Sequence, residues 1–289
     1  MTTTSLRCGT AGWAYPHWNS FVYPKPRPRG FHALEYLSRY FDALEINSTF
    51  YRPVRPEIAR LWGALVAGNG NFRFTAKMAR RFTHERELVA EEVRAFKEGL
   101  WPLWKGGRLG CVLMQFPWSF RYTEENREFF IHLRRTFHEF PLVAEMRHAS
   151  WAREEAIGTF IDYRVGFCNI DQPRSEKAMP PASFLTSGIG YARLHGRTGN
   201  DYLYSESELA EWAGRIGKLG RHAEAVYGFT TNDGGGKAVV NALQLQARLG
   251  LRGAMAPAEV LRRYRVALAG FHEAEAVQNG LFAEFPAVA

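Results

Sequence analysis

Eight short runs of β-favourable residues recur along the chain, and most are separated by stretches whose apolar residues fall at helical spacing. The runs cover residues 6–10, 42–51, 72–78, 109–116, 142–147, 165–171, 189–196 and 225–231. Between them, Leu34, Leu37 and Phe41 mark a helix over 31–41, and Ile58, Leu61, Trp62 and Leu65 mark one that opens on Pro56. Further helices are predicted over 85–104, from Thr123, over 154–163, over 206–219 behind a Ser205 cap, and over 238–249. Residues 172–188 hold three prolines and little periodicity, which predicts a loop. Alternating strand and helix predicts a parallel sheet. Eight strands in this length predict a closed (β/α)8 TIM barrel over an open doubly wound sheet, and no G-x-G-x-x-G follows the first strand. The expected architecture is one α/β domain over 1–289, with the barrel over about 5–250 and a short helical extension over 251–289.

Within the strands, residues two apart share a face. That parity groups Glu45, Asn47 and Thr49; Arg73, Thr75 and Lys77; Glu145 and Arg147; Asn169 and Asp171; and Arg193, His195 and Arg197. An isolated strand of this kind has one wet face. Repeated at the C-terminal ends of several strands, the pattern predicts polar faces meeting at the barrel mouth, where this fold places its sites. Gln115 ends the fourth strand in the same way.

Composition narrows the setting. The 289 residues are 46% hydrophobic and 14% aromatic, enough for a large core. No stretch approaches the roughly 20 apolar residues of a membrane helix, and the N-terminus lacks the apolar middle of a signal peptide. A cytosolic (cytoplasmic) protein with no membrane partner is expected. Cys8, Cys111 and Cys168 each fall inside a predicted strand with no C-x-x-C pair, which predicts buried thiols. The formal charge of +8 favours anionic partners and permits nucleic acid without demanding it.

With the strand ends laid out, the chain resembles the DUF72 (YecE-like) family. The matching residues are Gly9-Thr-Ala-Gly-Trp13 with Trp18 and Tyr23-Pro24, Glu45-Ile-Asn-Ser-Thr-Phe-Tyr51, Phe72-Arg-Phe-Thr-Ala-Lys77 with Thr83-His84, Gln115-Phe-Pro117, Glu145-Met-Arg147-His148 with Trp151, Arg193-Leu-His-Gly196, and Asn241-Ala in the last barrel helix. The resemblance implies a TIM barrel and no assigned activity. The chain departs from the family pattern after strand eight, where Phe229-Thr230-Thr231 stands in place of an Asn-Asn pair.

The mouth positions suggest an acid/base enzyme for a small phosphate-bearing or otherwise anionic ligand. The candidate catalytic residues are Glu45, Lys77, Glu145, Asp171 and His195, since carboxylates near cations divide acid and base roles and a confined lysine loses its proton more easily. Trp13, Asn47, Tyr51, Gln115, Arg147, Arg193, Arg197 and Lys237 are candidates for substrate binding. Arg193-x-His195-x-Arg197 and the Gly234-Gly-Gly-Lys237 loop point to an anion at the strand-seven and strand-eight corner. The structural alternative is an ion-pair network of Glu45 or Glu145 with Lys77 or Arg147. Glu145, Asp171, His195 and Glu45 could together hold a divalent metal, as in a phosphodiesterase, but no metal-ligand spacing supports it and no cofactor is expected. A non-catalytic nucleic-acid or ligand-binding role is the third reading. The aromatics after the strand ends, Tyr15 and Trp118 among them, either stack on a ring or anchor loops.

Overall fold

The computed structural model describes residues 4–273. Eight parallel strands close into a TIM barrel in chain order: β1 (Ser5–Ala11), β2 (Ala43–Ile46), β3 (Arg73–Lys77), β4 (Leu109–Gln115), β5 (Leu142–Glu145), β6 (Gly166–Asp171), β7 (Ile189–Leu194) and β8 (Ala225–Thr230). β8 pairs with β1 over Ser5–Thr10, so the barrel sheet has no open edge. Around the barrel lie α1 (Ala33–Ser38), α2 (Pro56–Leu65), α3 (Ala90–Lys105), α4 (Glu124–Thr136), α5 (Glu154–Asp162), α6 (Glu206–Gly220) and α7 (Lys237–Arg248). Residues 172–188 carry no helix, as the prolines predict.

Local chemistry sets the helix starts. Pro56 opens α2, the Thr123 hydroxyl accepts from the Asn126 N–H at the start of α4, and Ser205 with Glu208 forms a full capping box on α6. The α3 boundary differs from the expectation. A π-helical turn at Arg81–Glu85 and the left-handed Arg86 (φ 61°) come first, and α3 begins only at Ala90.

Several strands stop earlier than the alternation suggests. β2 ends at Ile46; Asn47 is already helical (φ −86°, ψ −25°), and Ser48–Phe50 form a 3-10 turn. The Thr49 hydroxyl reaches the Ile46 and Lys77 carbonyls at 3.0 and 2.7 Å, a local alternative to the strand ladder. β5 and β7 likewise end at Glu145 and Leu194, before Arg147 and His195. Of the predicted extension, Ala258–Arg263 forms α8 and Met255–Ala256 pairs in parallel with His272–Glu273. Residues 274–289 of that extension lie outside the described residues.

All three cysteines are buried and free. Burial pushes the Cys8 thiol up to about 12 and raises Cys111 and Cys168 as well, so none is a thiolate at neutral pH. Among the described residues, no helix is long and apolar enough to cross a membrane.

β1 passes close against β2 at Gly9, which pairs with Ala43. A Cβ on Gly9 would stand 1.7 Å from the Ala43 carbonyl oxygen, so only glycine fits. Gly9→Ala is expected to destabilise the fold by about 3 kcal/mol or more, at the upper end of overpacking costs. A denaturant midpoint within error of wild type would contradict the β1–β2 spacing.

Candidate functional site

The inner faces of the strands deliver their polar groups to one cup at the C-terminal mouth. Arg193, buried near the end of β7, lies between two buried carboxylates. Its Nη2 donates to Glu45 Oε1 of β2 at 2.8 Å, and its Nη1 donates to Glu145 Oε2 of β5 and to Gln115 Oε1 of β4 (3.0 Å). The second oxygen of Glu45 accepts from the Tyr191 hydroxyl at 2.8 Å, and that hydroxyl is 2.9 Å from Thr75 Oγ1 of β3. The second oxygen of Glu145 accepts from Arg147 Nε at 3.0 Å. Five strands are thus joined by one hydrogen-bonded charge network.

Burial pushes the Glu145 carboxyl up, but the Arg193 and Arg147 guanidiniums outweigh it and hold it well below its ordinary value. Against the same desolvation, Glu45 and Glu145 raise the Arg193 pKa. His195 comes from the loop after β7. Its Nδ1 shares a 2.8 Å hydrogen bond with Thr231, and its Nε2 sits 3.2 Å from Glu145 Oε1 without hydrogen-bond alignment. Burial lowers its pKa more than Glu145 raises it, so the imidazole is neutral at pH 7.

Lys77, at the end of β3, is the cation left over. Glu45 and Glu145 balance Arg193 and Arg147, and Lys77 makes no ion pair among the described residues. Its Nζ lies 3.9 Å above the Phe50 ring. The early turn after β2 places that ring there. Burial, then the neighbouring Arg193, lower the Lys77 pKa to about 8. His84, from the π-helical turn, faces the same ring at 5.2 Å between centroids and is pushed down to about 4 by burial and Lys77.

The structure therefore brings together Glu45, Lys77, Gln115, Glu145, Arg147, Arg193 and His195. The expected ion-pair network is present too, but Arg193 is its centre and Lys77 stands outside it. Trp13, Asn47 and Tyr51 line an adjacent cavity of about 760 Å³ beside the cup. Tyr191, Thr75 and Phe50, which were not among the predicted site residues, complete the site together with His84. Tyr191 could have been found from its parity with Arg193.

Three predicted members lie elsewhere. Asp171 points out of the barrel, where its Oδ2 accepts from Trp212 Nε1 of α6 (2.9 Å) and from Arg197 Nε (3.1 Å). Cys168 supplies the inner face of β6, within electrostatic reach of Glu145 and Arg193. Arg197 is consumed by Asp171, Glu208 and Glu211. Lys237 Nζ donates to the carbonyl and carboxylate of Asp201, both at 2.7 Å. The glycine loop is also spoken for: the Gly234 and Gly236 N–H groups donate to the Asn200 and Asp233 carbonyls. The expected anion corner at strands seven and eight is thus filled by the protein's own acceptors. The metal set considered from sequence does not assemble either, because Arg193 separates Glu45 from Glu145 and Asp171 faces α6. Among the described residues, no three His, Cys, Asp or Glu side chains are grouped to hold a metal.

Among the flanking aromatics, Trp18 and Trp151 are loop anchors. Both are fully buried, and their Nε1 groups donate to the Asp233 and Phe120 carbonyls. His148 hydrogen-bonds Ser150 behind the site.

A closed eight-stranded barrel with a polar cup at its C-terminal mouth defines a TIM-barrel protein. The family model described as "Protein of unknown function DUF72" matches residues 7–263, and the chain belongs to that family. Among solved structures, a DUF72 family protein of Thermotoga maritima is 28% identical with a TM-score of 0.73, covering 85% of this chain and 99% of its own. A DUF72 family protein of Enterococcus faecalis is 23% identical with a TM-score of 0.76, covering 86% and 96%. No curated protein matches the chain.

Removing Arg193 strands two buried carboxylates. Arg193→Met is expected to cost roughly 3–5 kcal/mol by urea unfolding at pH 7, and adding Glu45→Gln and Glu145→Gln is expected to recover part of it. Glu145 has a depressed folded pKa, so its contribution is present above 4.5 and fades as pH falls through the folded value. Arg193→Met should flatten that acid limb. A cost under about 1 kcal/mol, the range of an exposed pair, would contradict a buried central guanidinium.

Proposed function

We propose that the protein is an enzyme that performs acid/base chemistry on a small anionic, phosphate-bearing substrate at the barrel mouth, with Lys77 as the group that takes and returns the proton. The carrying observation is the unpaired, largely buried Lys77, whose pKa is lowered to about 8 beside a network that is otherwise charge-balanced. A base must be free to accept a proton near working pH. At pH 7 about a tenth of Lys77 is the free amine, whereas an ordinary lysine has almost none.

The roles divide by what each group already holds. Glu45 is saturated by Arg193 and Tyr191, so it positions and does not turn over protons. Glu145 is held ionised, and its charge steadies whatever positive charge develops on Lys77 or His195. The Arg147 guanidinium is about one-third exposed and spends only its Nε on Glu145, so its remaining donors are free to meet a substrate anion. Neutral His195 stands at the rim beside the same carboxylate as a second proton carrier. With Lys77 protonated, the cup carries one surplus positive charge, which favours an anion.

The reading has a stability signature. Lys77 binds its proton more weakly folded than unfolded, so stability rises as pH climbs from about 8 towards 10.5. Below that window the buried ammonium costs stability throughout. Lys77→Met should therefore raise the unfolding midpoint at pH 7 while abolishing any turnover. NMR of 13Cε-labelled lysine should give one resonance titrating near pH 8, absent in Lys77→Arg and shifted to higher pKa by inorganic phosphate. A Lys77 resonance that titrates with the bulk lysines and ignores phosphate would refute the proposal.

A further inference from the structure

The 760 Å³ cavity lies between the loops after β1 and β2, and its volume is that of a small-molecule site. Trp13, Trp62 and Tyr51 give it aromatic walls. Trp13 stands edge-on to Trp62 with centroids 5.2 Å apart, while Tyr51, met edge-on by Phe50 at 5.2 Å, is still 81% exposed and leaves a ring face open to the cavity. Arg52 and Arg55 line the same cavity, and neither forms an ion pair among the described residues. No lining residue is an aspartate or glutamate, so both positive charges are uncompensated. One polar atom is also unmet: Asn47 donates its amide to the Tyr15 hydroxyl at 3.1 Å, and its buried Oδ1 has no partner.

We propose that this cavity is a binding site for a nucleotide-like anion: a flat ring against Tyr51 and the tryptophans, its phosphate on Arg52 and Arg55, and a ring or sugar donor on Asn47 Oδ1. Flat π-faces take a ring, guanidiniums without carboxylate partners take a phosphate, and the orphaned acceptor takes an N–H or O–H. The site depends on neither Lys77 nor its titration, so it stands apart from the proton chemistry of the cup.

Calorimetry and tryptophan fluorescence with purine and pyrimidine nucleoside 5′-monophosphates test it, with the free nucleosides and inorganic phosphate as controls. At least one monophosphate should bind saturably and change tryptophan emission, with its nucleoside and phosphate each about tenfold weaker or worse. The exposed-site double variant Arg52→Ala/Arg55→Ala should fold normally and lose about tenfold or more in affinity. Tyr51→Ala should lose about fivefold or more, the equivalent of one stacked ring. Lys77→Gln should bind as wild type. No saturable binding by any monophosphate would overturn the proposal. So would unchanged binding in the double variant, or loss in Lys77→Gln with the arginine pair unaffected, which would put the ligand in the cup.

Discussion

A guanidinium buried between two carboxylates is the constraint on which the rest of this molecule depends. Bringing Arg193, Glu45 and Glu145 out of water is expensive, and their mutual attraction repays the cost only with good geometry and every remaining lone pair answered. Tyr191 and Arg147 answer the second oxygens of the two carboxylates and Gln115 adds a contact to Arg193 Nη1, while Arg193 Nε is left without a partner. Because the partners come from β2, β4, β5, β7 and the turn after β5, the network can form only when the barrel is closed in register. It therefore specifies the closed arrangement as well as the electrostatics of the mouth.

The same network determines what is left for chemistry. With both carboxylates and both guanidiniums of the cup engaged, Lys77 is the cup residue whose charge no described ion pair neutralises. Its environment is built by a small backbone event. Had β2 run on through Thr49, Phe50 would have continued the strand. The 3-10 turn instead lays the ring under the lysine and pins the Lys77 carbonyl through the Thr49 hydroxyl. A desolvated, ring-stacked, unpaired lysine is a poor contributor to stability, and its placement at the mouth is what gives it a functional reading.

The barrel was legible in the sequence because strand and helix periods alternate cleanly and the caps at Pro56, Thr123 and Ser205 are local signals. The inward set at β2, β3, β5 and β7 was legible for the same reason: period two on short strands leaves little freedom. Strand β6 was misread because both faces of a barrel strand are buried, so parity alone does not say which face is the inside. Asp171 goes outward because its partner, Trp212, waits on a helix 41 residues further on, and nothing near Asp171 announces it. The anion corner failed likewise. Arg197 and Lys237 look free in sequence, yet Glu208, Glu211 and Asp201 reach them across loops. Charge composition counts cations; only the fold says which are already spent.

The central claim is that strand-end charges meet in one cup with Lys77 and Arg147 free to receive an anion. A crystal structure grown or soaked with tungstate, a heavy phosphate mimic, tests it most directly. The account predicts anomalous density within hydrogen-bond reach of Lys77 Nζ and the Arg147 guanidinium, with Arg193 still bridging Glu45 and Glu145. Density confined to the Gly234–Lys237 loop, or Glu45 and Glu145 turned away from Arg193, would contradict it.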